Sequence, residues 1–152
     1  MSPDAAVHIA GLALHHVGIV TGDLDESIDR YRALGFVPGE TFGVGEQAIV
    51  AVTMRAGPGW VEIIQPTDPD GPIARYLAKR GPGVHHLAYR VADLAAELDR
   101  LATAGVRLID TVPRTGAHGW QIAFVHPEAC GGVLTELVQV DDDGVTGEGQ
   151  GS

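Results

Sequence analysis

Two histidines and two glutamates in this chain combine metal-binding residue types with a spacing that repeats. His16 and His86 stand 70 residues apart, each in a β-branched, apolar stretch. Glu62 and Glu136 stand 74 apart, one within Trp60-Val-Glu-Ile-Ile64 and the other within Val133-Leu-Thr-Glu-Leu-Val138. A carboxylate in the middle of an apolar strand is costly to bury unless something pairs with it. No lysine or arginine recurs at matching positions to do so. A divalent cation would. Two imidazoles and two carboxylates form a mixed nitrogen and oxygen set suited to manganese, iron, cobalt, nickel or zinc. His15 and His85 recur as well and compete with their neighbours. Alternation along a strand sends adjacent side chains to opposite faces, and the residues alone leave open which histidine of each pair faces the centre.

The elements that must position these groups come in two copies. His15 to Phe36 matches His85 to Val106 at a constant offset, and Val61 to Gln65 matches Thr135 to Gln139. Two copies are too few, and the period too long, for a solenoid; two halves closing on each other fit better. In each copy an apolar first strand, His15 to Val20 in copy one, leads into a helix. Asp23 is its N-cap and Glu26, three residues on, suggests a capping box. Leu24, Ile28 and Tyr31 give the helix one apolar face, and Gly35 suits its end. Asp93, Leu94, Leu98, Leu101 and Gly105 do the same in copy two. Three strand candidates follow each helix: Phe36 to Phe42, Gln47 to Met54 and Trp60 to Gln65, then Val106 to Thr111, Gln121 to Val125 and Gly132 to Val140. The expected fold is α+β, one domain over 12–140 built from two βαβββ modules, 12–66 and 84–140, around one metal-lined cleft. The linker, 67–83, carries a short helix, Ile73 to Arg80, with Pro72 at its first turn. Residues 1–11 and 141–152 are expected to be loose ends.

Composition excludes several function classes. A chain of 152 residues that is 45% hydrophobic and 20% charged is that of one soluble globular domain. No apolar run approaches the ~20 residues of a membrane span, and no signal peptide is visible before Gly11. The single cysteine, Cys130, excludes an intrachain disulfide and a cysteine-rich zinc framework, so the default compartment is the cytoplasm. Twenty acids against ten bases, a formal charge of −10, argue against nucleic acid or an anionic membrane as the main partner. Gly43 to Ala48 reads as a hairpin-type loop rather than a dinucleotide motif. Pro113 to Gly119 has the composition of a loop that could cover a cleft, and His118 within it could move protons or be a surface turn residue.

Several stretches then carry a family resemblance: His16-Val-Gly-Ile-Val20, Glu46-Gln47, Val61-Glu-Ile-Ile64, Gly83-Val-His-His-Leu-Ala88, Gly105-Val-Arg-Leu-Ile-Asp110, Pro113-Arg-Thr-Gly-Ala-His-Gly119 and His126-Pro-Glu-Ala-Cys-Gly-Gly-Val-Leu-Thr-Glu-Leu137. From Leu12 to Val140 the chain resembles the vicinal oxygen chelate superfamily, and within it the methylmalonyl-CoA epimerases. The resemblance implies paired βαβββ modules, a divalent metal ion (cobalt, manganese, zinc, nickel or iron), an acyl-CoA as small-molecule substrate and a homodimer. It selects His16, Glu62, His86 and Glu136 as metal ligands. It implies proton transfer at the carbon α to a thioester, with Glu136 as ligand and acid or base, and Glu46 as a second candidate. The chain differs from the family pattern at three places: Ala51 stands where several epimerases have a glutamate, Glu128 where lysine is frequent, and Trp120 where a basic residue is frequent. These differences favour the alternative of a related metal-dependent isomerase, cyclase or lyase on a non-CoA substrate. A non-catalytic binding protein of the same superfamily is a further alternative, disfavoured by the complete set of four ligand types.

Overall fold

The computed structural model describes residues 12–140, so the expectations for both chain ends lie outside the described residues. The first half runs β1 (Ala13–Val20), α1 (Leu24–Ala33), β2 (Phe42–Val44), β3 (Ile49–Ala56) and β4 (Gly59–Pro66). After α2 (Pro72–Arg80), the second half runs β5 (Gly83–Arg90), α3 (Leu94–Thr103), β6 (Arg114–Thr115), β7 (Gln121–Val125) and β8 (Thr135–Gln139). All eight strands join one sheet in the order β2-β3-β4-β1-β5-β8-β7-β6. β1 and β5 meet antiparallel at its centre, and each has the last strand of its own half parallel on its other side. The α+β fold of paired βαβββ modules is therefore as expected. Among the described residues no helix is long and apolar enough to cross a membrane.

The sheet is curled. β3 and β7 stand five strand spacings apart, about 24 Å if the sheet were flat. Yet the Thr53 hydroxyl on β3 lies 3.0 Å from Nε2 of His118, in the loop leading into β7. The convex face carries the helices: Leu24 and Ile28 of α1 pack on Val52, Met54 and Ile63, and Leu94 and Leu98 of α3 on Ala123, Val125 and Leu137. Alternation then turns His16, Glu62, His86 and Glu136 to the concave face.

Both helices begin as their sequences imply, with one addition. The Asp23 carboxylate accepts from the Glu26 amide at 3.0 Å, and Asp93 from that of Ala96 at 3.1 Å. The capping box at α1 is only half made. The Glu26 side chain pairs with Arg30, and the Asp23 amide donates instead to the Thr21 hydroxyl. The addition is the recurring glutamine. Oε1 of Gln65 accepts from the Leu24 amide at 2.7 Å, and Oε1 of Gln139 from the Leu94 amide at 2.8 Å. Each Glu-x-x-Gln stretch thus sends its glutamate into the cleft and its glutamine back to a helix start. Gln139→Ala should orphan one donor there and cost about 1–2 kcal/mol, read as a lower urea midpoint at unchanged slope.

Two expected strands are displaced. Phe36 to Phe42 contributes only an isolated bridge, Pro38 to Met54, because proline has no amide to continue a ladder; the strand starts at Phe42. Val106 to Thr111 contributes only the bridge Leu108 to Val125. Beyond it the Asp110 carboxylate takes the Phe124 amide at 2.8 Å, replacing the next rung, and β6 forms later.

Candidate metal centre

The central ladder between β1 and β5 carries two irregularities, one at each histidine pair. Leu14 opposes Tyr89 and His16 opposes Ala88, so His15 is left over. Gly18 opposes His86 and Ile19 opposes Val84, so His85 is left over. At a bulge two residues of one strand face one of the other and strict alternation fails. The expectation that His15 and His85 point away from their neighbours is therefore corrected. Nδ1 of His15 lies 2.8 Å from Nδ1 of His16, and Nδ1 of His85 lies 3.0 Å from Nδ1 of His86. The rivals are supports. With the shared proton of each pair on Nδ1 of His16 or His86, the Nε2 lone pairs of these two rings face the cleft. Metal-bound imidazoles commonly use their second nitrogen in this way.

Those two Nε2 atoms lie 3.1 Å apart. Glu136 completes the group, with Oε1 3.4 Å from Nε2 of His16 and Oε2 3.6 Å from Nε2 of His86. Two donors ~2.1 Å from one ion are about 3.0 Å apart at a right angle and about 3.4 Å apart at the tetrahedral angle. The observed spacings are those of a coordination sphere, and all three residues are at most 4% exposed. The donor set therefore fits a divalent ion.

Glu62 is also buried and faces the same side, but stands outside that three-residue group. The register shows the relation between halves. Glu136 opposes Ala88, which opposes His16; Glu62 opposes Gly18, which opposes His86. The two rows are alike except for the residue in the middle. A Cβ at Gly18 would run into the His86 ring, so His86 reaches the centre only because position 18 has no side chain.

Burial sets the protonation states. It holds His16 down to about 3, helped by the nearby His15, and holds His86 well below its ordinary value. Both rings are neutral at neutral pH and free to act as donors. Burial pushes Glu62 up to about 7. It raises Glu136 well above the usual carboxylate range, reinforced by Glu62 and opposed by Arg114. A raised carboxylate pKa contributes stability below about pH 4.5 and loses it as pH climbs toward 7. An ion that binds the ionised pair offsets that loss. Added cobalt should therefore raise the unfolding temperature more at pH 7.5 than at pH 5.5, and its affinity should tighten at least about tenfold over that interval. Calorimetric titration at both pH values checks this.

The remaining candidates fall elsewhere. Glu46 is exposed, on the short turn Gly45–Gln47. It lines a cleft of about 400 Å³ with Phe42 and the loop Thr115 to Gly119. Ala51 is fully buried among Val20, Ile49 and Ile64. Glu128 pairs with Arg107 at the surface. Trp120 is turned inward, its ring stacked 6.0 Å from that of His16. The guanidinium of Arg114 lies over the Phe124 ring, whose edge meets His86, and its Nε stands 3.3 Å from Asp110. Reading the residues alone overlooked Gly18 and the supports; the doubled histidines and the glycine two residues on from His16 were the available signals.

Comparison with known proteins points the same way. Residues 15–124 match the family described as the Glyoxalase/Bleomycin resistance protein/Dioxygenase superfamily. An ethylmalonyl-CoA/methylmalonyl-CoA epimerase of Cereibacter sphaeroides is 35% identical over 84% of this chain and 97% of its own. The crystal structure of methylmalonyl-CoA epimerase from Mycobacterium tuberculosis is 37% identical and superposes with a TM-score of 0.81, covering 86% of this chain and 89% of that one. A variant of the Streptomyces coelicolor methylmalonyl-CoA epimerase, in complex with 2-nitronate-propionyl-CoA, is 36% identical with a TM-score of 0.81, over 85% and 98% of the two chains. With its duplicated modules, its curled sheet and its buried imidazoles meeting at the junction, the chain belongs to the glyoxalase/bleomycin resistance/dioxygenase superfamily.

Proposed function

We propose that this protein is a metal-dependent epimerase that inverts the carbon α to the thioester of methylmalonyl-CoA. The observation that carries the reading is the convergence of His16, His86 and Glu136 in a chain that matches epimerases over most of its length. His16, His86 and Glu136 would hold the ion, with Glu62 as the fourth ligand beside them. Bound there, a divalent ion supplies positive charge against the negative charge that develops on the thioester oxygen.

The chain's own groups do the rest. Glu136 takes the α-proton from one face, and the raised affinity of its carboxylate for a proton narrows the gap to a weak carbon acid. His15 and His85 hold the two ligand rings at fixed angles. Trp60, Ile122 and Trp120 form a buried apolar cluster beside these rings. Glu46, at the cleft rim, is the carboxylate candidate for the opposite face. Arg114 brings positive charge near Glu136 and offers it to an anionic part of the substrate. Arg114→Ala should raise KM about tenfold and leave kcat within a few-fold, the loss of one charge-assisted contact. The single cysteine fits a cytoplasmic setting, and a homodimer belongs to the same reading.

The test is α-deuterium incorporation. Pure protein loaded with cobalt, manganese or zinc is incubated with methylmalonyl-CoA in D2O and followed by mass. Metal-dependent exchange with loss of configuration supports the reading. No exchange, with about one metal bound per chain, rejects this substrate and turns the search to non-CoA acids with an acidic C–H.

A further inference from the structure

Inversion at a carbon needs a proton acceptor on one face and a donor on the other. Glu136, on β8, belongs to the second half of the sheet. On the facing wall, β3 presents Ala51, which has nothing to titrate, and Thr53. The loop Thr115 to Gly119 crosses from the second half onto that wall and sets an imidazole there. Nε2 of His118 lies 3.0 Å from the Thr53 hydroxyl, and its ring lies 4.7 Å from that of Phe42 and 4.8 Å from that of Trp120. Thr53 opposes Glu62 in the β3–β4 ladder, so this exposed imidazole is tied to the strand next to the one that carries Glu62, at the open side of the cleft.

The backbone of the loop costs something to hold. His118 has φ 55 and ψ 19, in the left-handed region that few non-glycine residues adopt, histidine more often than most. Glycine or asparagine would sit there at little cost, yet the position carries histidine. Gly116 sets the approach: a Cβ there would stand 2.8 Å from Ile122, so the loop lies directly against β7. Such conformations, of order 1–3 kcal/mol each, persist where surrounding contacts over-determine them. Here those contacts are Phe42, Trp120 and Thr53, and what they fix is the direction of the ring.

We propose, on the epimerase reading above, that His118 is the second proton-transfer residue of this site. It works on the substrate face opposite Glu136, in the place that a carboxylate on β3 or at the cleft rim would otherwise take. Nε2 of His118 carries the Thr53 contact, which leaves Nδ1 of this exposed ring for the substrate. The Thr53 hydroxyl serves as donor or acceptor, so it holds Nε2 whichever way the ring is protonated. In one direction the Glu136 carboxylate takes the α-proton, and the C–H electron pair moves into the thioester as its oxygen gains charge. The His118 imidazolium then gives its Nδ1 proton to the opposite face, and a new C–H bond forms. Glu136 ends protonated and His118 neutral, which is the starting state for the reverse direction. Exchange with water resets either one.

The test compares wild type with His118→Asn and His118→Gln, all loaded with cobalt, on each enantiomer of methylmalonyl-CoA in D2O. Asparagine tolerates the left-handed backbone, so the pair separates loss of the imidazole from loss of the loop. Expected is a fall in epimerisation of about 10²–10⁴-fold with metal content and unfolding temperature retained. The enantiomer whose proton faces Glu136 continues to exchange, within about tenfold of wild type, and keeps its configuration. The other enantiomer stops exchanging. Epimerisation within a few-fold of wild type would overturn the assignment. So would equal loss of exchange from both enantiomers with metal and fold intact, which is the signature of a positioning role. If wild type itself exchanges neither enantiomer while binding metal, the epimerase reading falls first, and this proposal with it.

Discussion

Glu136→Gln should lower α-proton exchange at least about 10³-fold and make the metal-free protein more stable. The amide keeps the volume of the carboxylate but can neither accept the proton nor bring negative charge to an ion. Loss of general base catalysis alone accounts for about 10²–10⁴-fold, and weakened metal binding adds to it. The stability change has the opposite sign. Glu136 is 4% exposed and close to a second buried carboxylate. Without an ion that charge is poorly compensated, and replacing it should gain about 1–3 kcal/mol at pH 7.5. Metal analysis, exchange kinetics and urea unfolding of the same preparation read all three effects. Full metal retention with near-normal exchange would sink the ligand assignment.

Gly18→Ala is the second large effect, and it replaces none of the four candidate ligands. One methyl group at position 18 takes the space of the His86 ring. The ring cannot simply step aside, since Nδ1 is held by His85 and its face meets the edge of Phe124. Overpacking of this kind costs about 1–3 kcal/mol, and a displaced ligand should weaken metal binding by about 100-fold or more. The mirror position supplies the control. Ala88 already bears a Cβ between His16 and Glu136, so Ala88→Gly should change stability by only about 1 kcal/mol and leave the metal in place. Normal metal binding by Gly18→Ala would show that His86 is not a ligand.

Much of this was legible in the residues because the chain states it twice. The recurrence of His16 at His86 and of Glu62 at Glu136 singled out four polar groups that no single strand would have revealed. The structure brings the donor atoms of three of them within 4.8 Å of one another and sets the fourth, also buried, on the same face. The supporting pairs were misjudged for a physical reason. Period-two alternation describes one strand, whereas a bulge depends on the register of two, so the turning of His15 and His85 toward the centre follows from the β1–β5 ladder and not from either segment. The same holds for the displaced strands. β-branched residues near Phe36 and Val106 favour extended backbone, but the missing amide of Pro38 and the reach of the Asp110 carboxylate decide where pairing begins. Glu46 matched a family position in sequence, and the glycine-flanked loop around it already pointed to the exposed turn the structure shows.

The outer strands of the sheet, β2 and β6, are three and two residues long. A rim that short offers almost no row of free amides and carbonyls on which another chain could build. A duplicated sequence has good reason to avoid a longer one, since every chain carries two near-copies of the same pairing surface and could add them end to end. By spending its long strands in the middle and stubs at the border, the fold turns a repeat that could polymerise into a closed object.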